Sequence, residues 1–370
     1  MSLELSPPVS SSPPTLVTTQ AHAASYTVLP YHADHAPLLL PLLQETLGNS
    51  GAVRKTGAFW QWKHAENPFG ASSGLYAWDE AAAQAVGLRV LMRWAFQHPD
   101  GQIVQGARAV DTATHPAYQR MGIFSALTRQ AIAELTAQGV DCIFNTPNQK
   151  SLPGYLKMGW QVAAQWPLYL KPLRPLRMAW RRLRPAITTP DAAFDRSFAP
   201  AILPWAEFHA RYGDQLPALV AAHEQNRRHR GLRTVRTVDY LAWRYGGHPH
   251  VRYGLYPHTD RRGELLGLAI LRPNLRYGWQ EMVLAELCLR QPTVKHGVAL
   301  LRHLRRHLRG DYLIAHAARP TLEYAMLRRS GFWPAPGQSI TFTVRPLQPT
   351  AATLHRAAAW DLTLGDLEIF

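Results

Sequence analysis

Cysteine is nearly absent from this sequence. Cys142 and Cys288 are the only two in 370 residues, too few for a disulfide scaffold or a cysteine-based zinc site. Apolar runs of the roughly 18–20 residues that a membrane span needs are also missing. Residues 1–24 have neither a basic start nor an apolar stretch, so they do not read as a secretory signal, and a soluble cytoplasmic protein is expected. Acidic residues are scarce beside basic ones, 25 against 40, which leaves a net charge of +15. Lysine supplies only six of the basic side chains, and arginine the rest. Such a surface attracts anions, whether nucleic acid, a membrane surface or a phosphorylated ligand, and composition does not choose among them. No helix-turn-helix, zinc-finger or RNA-binding signature accompanies the charge, which argues against nucleic acid.

What is present is globular. With 46% apolar residues and twelve tryptophans, the chain has the length and composition for two domains. Residues 1–24 read as a disordered Pro/Ser-rich tail. Strands are expected at 26–29, 74–78, 85–91, 108–114, 141–145 and 161–170. Helices are expected at 35–47, 123–137 and 152–157. That mixture is α/β or α+β. Residues 171–197 read as a basic, Pro-punctuated connector, partly helical.

An internal repeat organises the rest. Thr56-x-x-Phe59-Trp60-x-Trp62-Lys63-His64-x-x-Asn67-Pro68 recurs as Thr237-x-x-Tyr240-Leu241-x-Trp243-Arg244-Tyr245-x-x-His248-Pro249. Gly87 then faces Gly267, and Gly159 faces Gly331. Two copies of one fold are therefore expected, at residues 25–170 and 198–347, with the repeat itself read mainly as a shared core anchor. An apolar, acidic segment, 348–370, is expected to dock on the body.

Chemistry is concentrated in the first copy. A strand ending near Thr114 leads through Gln119-Arg120-Met121-Gly122 into a helix that opens at Ile123. A helix N-terminus offers free N–H groups and a dipole to an anion, and Gly122 lets backbone approach it closely. One glycine in such a loop also fits an ordinary turn.

The segment resembles the coenzyme A pyrophosphate loop of the GCN5-related N-acetyltransferase (GNAT) family, Gln/Arg-x-x-Gly-x-Gly/Ala. It departs from that pattern at its last position, Phe124. Upstream Asp111 to Pro116, and downstream Asn148-x-x-Ser151-x-x-x-Tyr155, are similar to the family's neighbouring signatures. The resemblance implies two tandem GNAT-like mixed-sheet domains and acetyl-coenzyme A as acyl donor, with no metal. It places the donor's phosphates on Arg120, Met121, Gly122, Ile123, Phe124 and Ser125, beside Gln119. Its pantetheine arm would run along Thr112, Ala113 and Thr114, with Asn148 and Ser151 hydrogen-bonding it. Tyr155 becomes the acid for the departing thiolate and Asp111 a candidate base; His115, the C-terminal carboxylate and water stay open as alternatives.

The second copy lacks the loop pattern, and Leu327 stands where Tyr155 would. It is expected to be a degenerate domain that shapes the acceptor site or a homodimer. The function expected is N-acetyl transfer to a primary amine of an amino sugar, small molecule or peptide. Transfer of another acyl group, a non-catalytic acyl-coenzyme A sensor and a nucleic-acid-binding protein are the alternatives.

Overall fold

A computed structural model describes residues 25–48, 54–183, 197–226, 231–276 and 278–367. The expected disordered tail, the basic run 227–230 and the C-terminal carboxylate lie outside these residues.

The first half runs β1 (Thr27–Pro30), α1 (Ala36–Leu47), α2 (Gly57–His64), β2 (Ser73–Asp79), β3 (Gln84–Gln97), β4 (Ile103–Thr114), α3 (Ile123–Ala137), β5 (Cys142–Asn145), α4 (Leu152–Lys157) and β6 (Gln161–Pro172). After α5 (Pro175–Leu183), the second half runs α6 (Trp205–Tyr212), α7 (Leu216–Asn226), β7 (Arg233–Thr234), α8 (Val238–Leu241), β8 (Gly254–Thr259), β9 (Leu265–Arg276), β10 (Trp279–Leu289), α9 (Val294–Leu304), β11 (Tyr312–Ala315), α10 (Leu322–Arg329) and β12 (Trp333–Pro346). A closing segment ends in the short α11 (Leu364–Leu367).

Local sequence accounts for many boundaries. Thr56 and Thr237 cap α2 and α8 by accepting from the N–H of Phe59 and Tyr240, at 3.2 and 3.0 Å. In α3, Ile123, Leu127, Ala131 and Leu135 recur at helical spacing and are all buried. Gly87 allows α3 to sit tight on β3, since a Cβ there would lie 2.3 Å from Ile123. β3 continues to Gln97, well past the expected Leu91. Met92, Trp94 and Phe96 are buried on one face, and Leu91 and Ala95 on the other, so period-two alternation vanishes.

One mixed sheet joins the halves in the order β1-β2-β3-β4-β5-β12-β6-β11-β10-β9-β8, with β7 beside β3. β12 lies between β5 and β6, and β6 between β12 and β11. Each half therefore receives its penultimate strand from the other. The exchange relates the halves by a pseudo-twofold axis between two antiparallel strands.

The repeat meets on that axis. The Trp62 indole donates to the Trp243 carbonyl and the Trp243 indole to the Trp62 carbonyl, both at 2.8 Å. Their rings stack at 5.0 Å. Helices α3 and α4 cover one face of the sheet in the first half, as α9 and α10 do in the second. The Trp pair, Trp360 and the α6–α7 region share the central core on the opposite face.

Candidate active site

β4 and β5 pair as parallel strands only over Gly106–Arg108 and Cys142–Phe144, then separate. Beyond the split, the outer edge of β4 at Thr112, Ala113 and Thr114 is free of β5, while the inner edge stays paired with β3. A bulge at the register shift between Arg89 and Val90 puts Asp111 at φ +35°, a left-handed conformation costly for any residue with a side chain.

At the mouth of the split, Gly122 adopts φ +78° and opens the 15-residue α3. The preceding Arg120 is also left-handed, at φ +68°. The first amides of α3 have no intrahelical acceptor, so they face the mouth as donors. A Cβ on Gly122 would meet nothing within 4 Å, so the space over the loop is open. This is a cradle of the right chemistry for the phosphates of a coenzyme A ester.

Tyr155 is buried on α4. Its hydroxyl oxygen accepts from Arg89 Nη1 at 2.9 Å, and the same nitrogen donates to Thr112 Oγ1 at 2.6 Å. The Arg89 guanidinium lies 5.6 Å from the Phe124 ring and 5.3 Å from the Tyr155 ring. Its Nε and Nη2 are buried without a hydrogen-bond partner among the described residues. Arg89 thus joins residues of the loop, the strand and α4.

Asn148 and Ser151 sit at the start of α4 but largely serve the turn. Asn148 Oδ1 accepts from the N–H groups of Lys150 and Ser151 and from Ser151 Oγ, at 2.9–3.1 Å. His115 stands apart in the following loop, its Nδ1 accepting from Ala117 N–H and its Nε2 3.5 Å from Glu45.

Asp111 is already fully engaged. Its carboxylate contacts Lys63 Nζ at 2.5 Å, His64 Nε2 at 3.0 Å and Lys55 Nζ at 3.1 Å. Burial alone would raise its pKa, but Lys63, the His64 hydrogen bond and Lys55 hold it well below the usual carboxylate range. Burial pushes Lys63 down to about 8, against the pull of Asp111. Burial also lowers His64, whose Nδ1 is bonded to Ser72.

The second half carries an equivalent cluster. Aligning Gly87 with Gly267, and the ladders that flank the two bulges, sets Glu286 on Asp111, although the extra residue is Asp111 in the first half and Ala285 in the second. The repeat sets Arg236 on Lys55 and Tyr245 on His64. Arg236 Nε lies 3.0 Å from Glu286, and the Tyr245 hydroxyl donates to it at 2.9 Å. Where β10 and β11 part, the cavity holds only about 30 Å³. The closing segment fills this region: Asp366 pairs with Arg236 at 2.9 Å, and Arg108 and Arg244 donate to the carbonyls of Asp366, Leu367 and Gly365.

Sequence reasoning missed Lys55, Arg89 and Arg108, and read Lys63 and His64 as part of a packing repeat. Only the Lys63-His64 positions carried a signal, since their counterparts Arg244-Tyr245 are also polar. Among the described residues, no group of three or more His, Cys, Asp or Glu forms a metal site, and no helix is long and apolar enough to cross a membrane.

Residues 55–163 match the family model described as an acetyltransferase (GNAT) domain. The first half of the chain thus carries a GNAT-type acetyltransferase domain. No curated protein matches the chain by sequence. Among solved structures, the chain is similar to a conserved protein of unknown function from Enterococcus faecalis V583, described as a probable N-acyltransferase. That match has a TM-score of 0.60 and 14% identity, covering 88% of this chain and 74% of the other. A GCN5-related N-acetyltransferase from Anabaena variabilis ATCC 29413 matches at a TM-score of 0.55 and 14% identity, over 90% and 75% of the two chains. Saccharomyces cerevisiae N-myristoyltransferase with bound myristoyl-CoA matches at 0.55 and 11% identity, over 89% and 84%. These likenesses concern the fold.

Proposed function

We propose that the first half transfers an acyl group from a coenzyme A thioester to a primary amine, with acetyl-coenzyme A the first donor to test. The observation that carries this reading is the left-handed Gly122 opening α3 at the mouth of the β4–β5 split. The diphosphate binds the amides from Arg120 to Ser125, next to Gln119. The pantetheine arm pairs with the free edge of β4 at Thr112 to Thr114. Asn148 and Ser151 shape the wall through the α4 turn.

In the reaction, the amine nitrogen bonds to the thioester carbonyl carbon, the C–S bond breaks, and the amine loses a proton to water. Tyr155 donates its proton to the departing thiolate. Because its oxygen accepts from Arg89, the hydroxyl hydrogen points away from the guanidinium, and the phenolate formed keeps a cationic neighbour. Asp111 acts as an anchor for the strained bulge rather than as the base, since three cationic or hydrogen-bonding partners already occupy its carboxylate.

The test is calorimetric titration with acetyl-coenzyme A, followed by free-thiol release over a panel of amines. One equivalent per chain and amine-dependent thiol release are expected. Two equivalents would show that the second half also binds donor, and no binding would refute the reading.

A further inference from the structure

At one end of the sheet β6 finishes, while β10, β11 and β12 begin beside it. The stretches that build this end are 161–183, 270–282, 294–312 and 322–346. They hold fifteen lysines and arginines against three acids, Glu281, Asp311 and Glu323. Glu281 is buried against Arg276, and Asp311 is buried against Arg177 at 2.9 Å. Glu323 sits in the first turn of α10, away from Arg328 and Arg329 in its last. Arg174, Arg305, Arg309 and Arg329 are all exposed, and none has an ion pair among the described residues. Contacts tie their segments together. Lys171 Nζ donates to the Ser330 carbonyl, next to Arg329. Burial, and then the charge of Arg305, lowers the pKa of the same lysine. The Asp311 carbonyl, two residues after Arg309, accepts from the N–H groups of Leu173 and Arg174.

The two most exposed large apolar side chains among the described residues stand at the same end, Leu176 at 87% and Trp333 at 64%. Leu170 and Trp333 are cross-strand partners in β6 and β12, so their side chains leave the same face of the sheet. Met178 of α5 packs on that face, against the cluster around Leu168 and Ile314. Helix α5 thus lies over the face that Trp333 shares, with Leu176 turned to solvent. The Arg328 guanidinium rests 4.7 Å from the Trp333 ring. One exposed apolar side chain is ordinary on a protein surface. A tryptophan and a leucine together, among unpaired arginines and with no exposed acid beside them, fit a bilayer interface. There the apolar groups enter the headgroup layer and the guanidinium groups meet lipid phosphates. A nucleic acid would satisfy the cations and could stack on Trp333, but it offers nothing to Leu176.

We propose that this end of the sheet docks the protein peripherally on an anionic phospholipid surface. Leu176 and Trp333 enter the headgroup layer, and Arg174, Arg305, Arg309 and Arg329 contact lipid phosphates. Such docking needs no spanning helix. It is also separate from acyl transfer, because α5, the start of β12 and the ends of α9 and α10 hold none of the residues assigned to the donor.

The test is flotation of the full chain with vesicles of phosphatidylcholine alone, or of equimolar phosphatidylcholine and phosphatidylglycerol, at low and high salt. Binding to the anionic vesicles that weakens with salt is expected, with little binding to the neutral ones. Arg174→Gln and Arg305→Gln should each lower the partition coefficient about fivefold, and Leu176→Ser about tenfold. All three side chains are exposed, so the variants should fold, which circular dichroism checks. Arg261→Gln, in the turn before β9 at the other end of the sheet, should leave binding unchanged. Leu176→Cys can be labelled with an environment-sensitive dye, because Cys142 and Cys288 are buried. Its emission should shift to the blue when anionic vesicles are added. Failure to float with anionic vesicles would overturn the proposal, as would equal binding to neutral ones. So would binding that survives all three substitutions, or a label at residue 176 that stays in water. A gel shift with single-stranded poly(U) covers the other polyanion: binding there without flotation would assign the arginines to nucleic acid and overturn the proposal.

Discussion

Replacing Asp111 by Asn separates two roles for this residue. As a base, Asp111 would lose its proton-accepting oxygen while the isosteric amide kept the packing. Turnover would then fall by about 10²–10⁴ with little change in stability. As an anchor, it would leave Lys63, itself 1% exposed, without its carboxylate. Breaking a buried pair by removing one partner costs about 3–5 kcal/mol. The cost has a ceiling, because Lys63 can shed its proton. Deprotonating a lysine of ordinary pKa near 10.4 at pH 7 costs about 4.6 kcal/mol, which falls in the same range. The loss should therefore be pH-dependent. Without Asp111, burial drives Lys63 further below about 8, so the variant gains stability relative to wild type as pH rises towards 8. Equilibrium denaturation of both proteins between pH 6 and 9, alongside turnover, checks this. A variant that unfolds at the wild-type denaturant concentration but has lost its turnover would refute the anchor and restore Asp111 as the base.

Tyr155→Phe should keep the ring packing and coenzyme A affinity but lose about 10²–10⁴ in turnover, measured where chemistry limits the rate; unchanged turnover would return Tyr155 to a packing role. Gly122→Val should weaken coenzyme A binding in calorimetry, because φ +78° strains a β-branched residue by about 1–2 kcal/mol and the loop must shift to relieve it; wild-type affinity would contradict the cradle. Acid should destabilise the fold through two buried histidines. Burial pushes His248 down to about 2 and His316 to about 4. Both rings stay neutral in the folded protein while the unfolded chain takes up protons below about pH 6.5. Stability should thus fall with pH, by up to about 1.4 kcal/mol per unit for each ring. His248 Nδ1 accepts from two backbone N–H groups, of His250 and Val251. His248→Asn, the residue found at the equivalent Asn67, should flatten the slope in denaturation curves between pH 4 and 7.

Elements with local signals were legible in the sequence. Helices α3 and α4 begin and end where the apolar spacing and Gly122 place them. The far half of β3 was not, because both of its faces are buried. The exchange of β6 and β12 was not, because pairing between residues 161–172 and 333–346 leaves no mark in either stretch. The Trp62–Trp243 repeat was visible, but its reciprocal hydrogen bonds exist only across the axis. Arg89 looked like a strand residue; its role depends on α4 lying within reach of β3. The carboxylate of Asp111 was legible as chemistry, whereas its three partners arrive from α2 and the residue before its cap.

The strand exchange also sets a timetable. During synthesis, β6 emerges about 160 residues before β12 does, and β5 earlier still. At roughly 5–20 residues per second, the nascent first half waits on the order of 10–30 s for the strand that belongs between them. Through that interval two ladder edges stand open, each a template for pairing with another chain. The β4–β5 split, built on β5, therefore settles only after β12 has left the ribosome. A premature stop between residues 173 and 332 yields two unsealed edges rather than a smaller closed sheet.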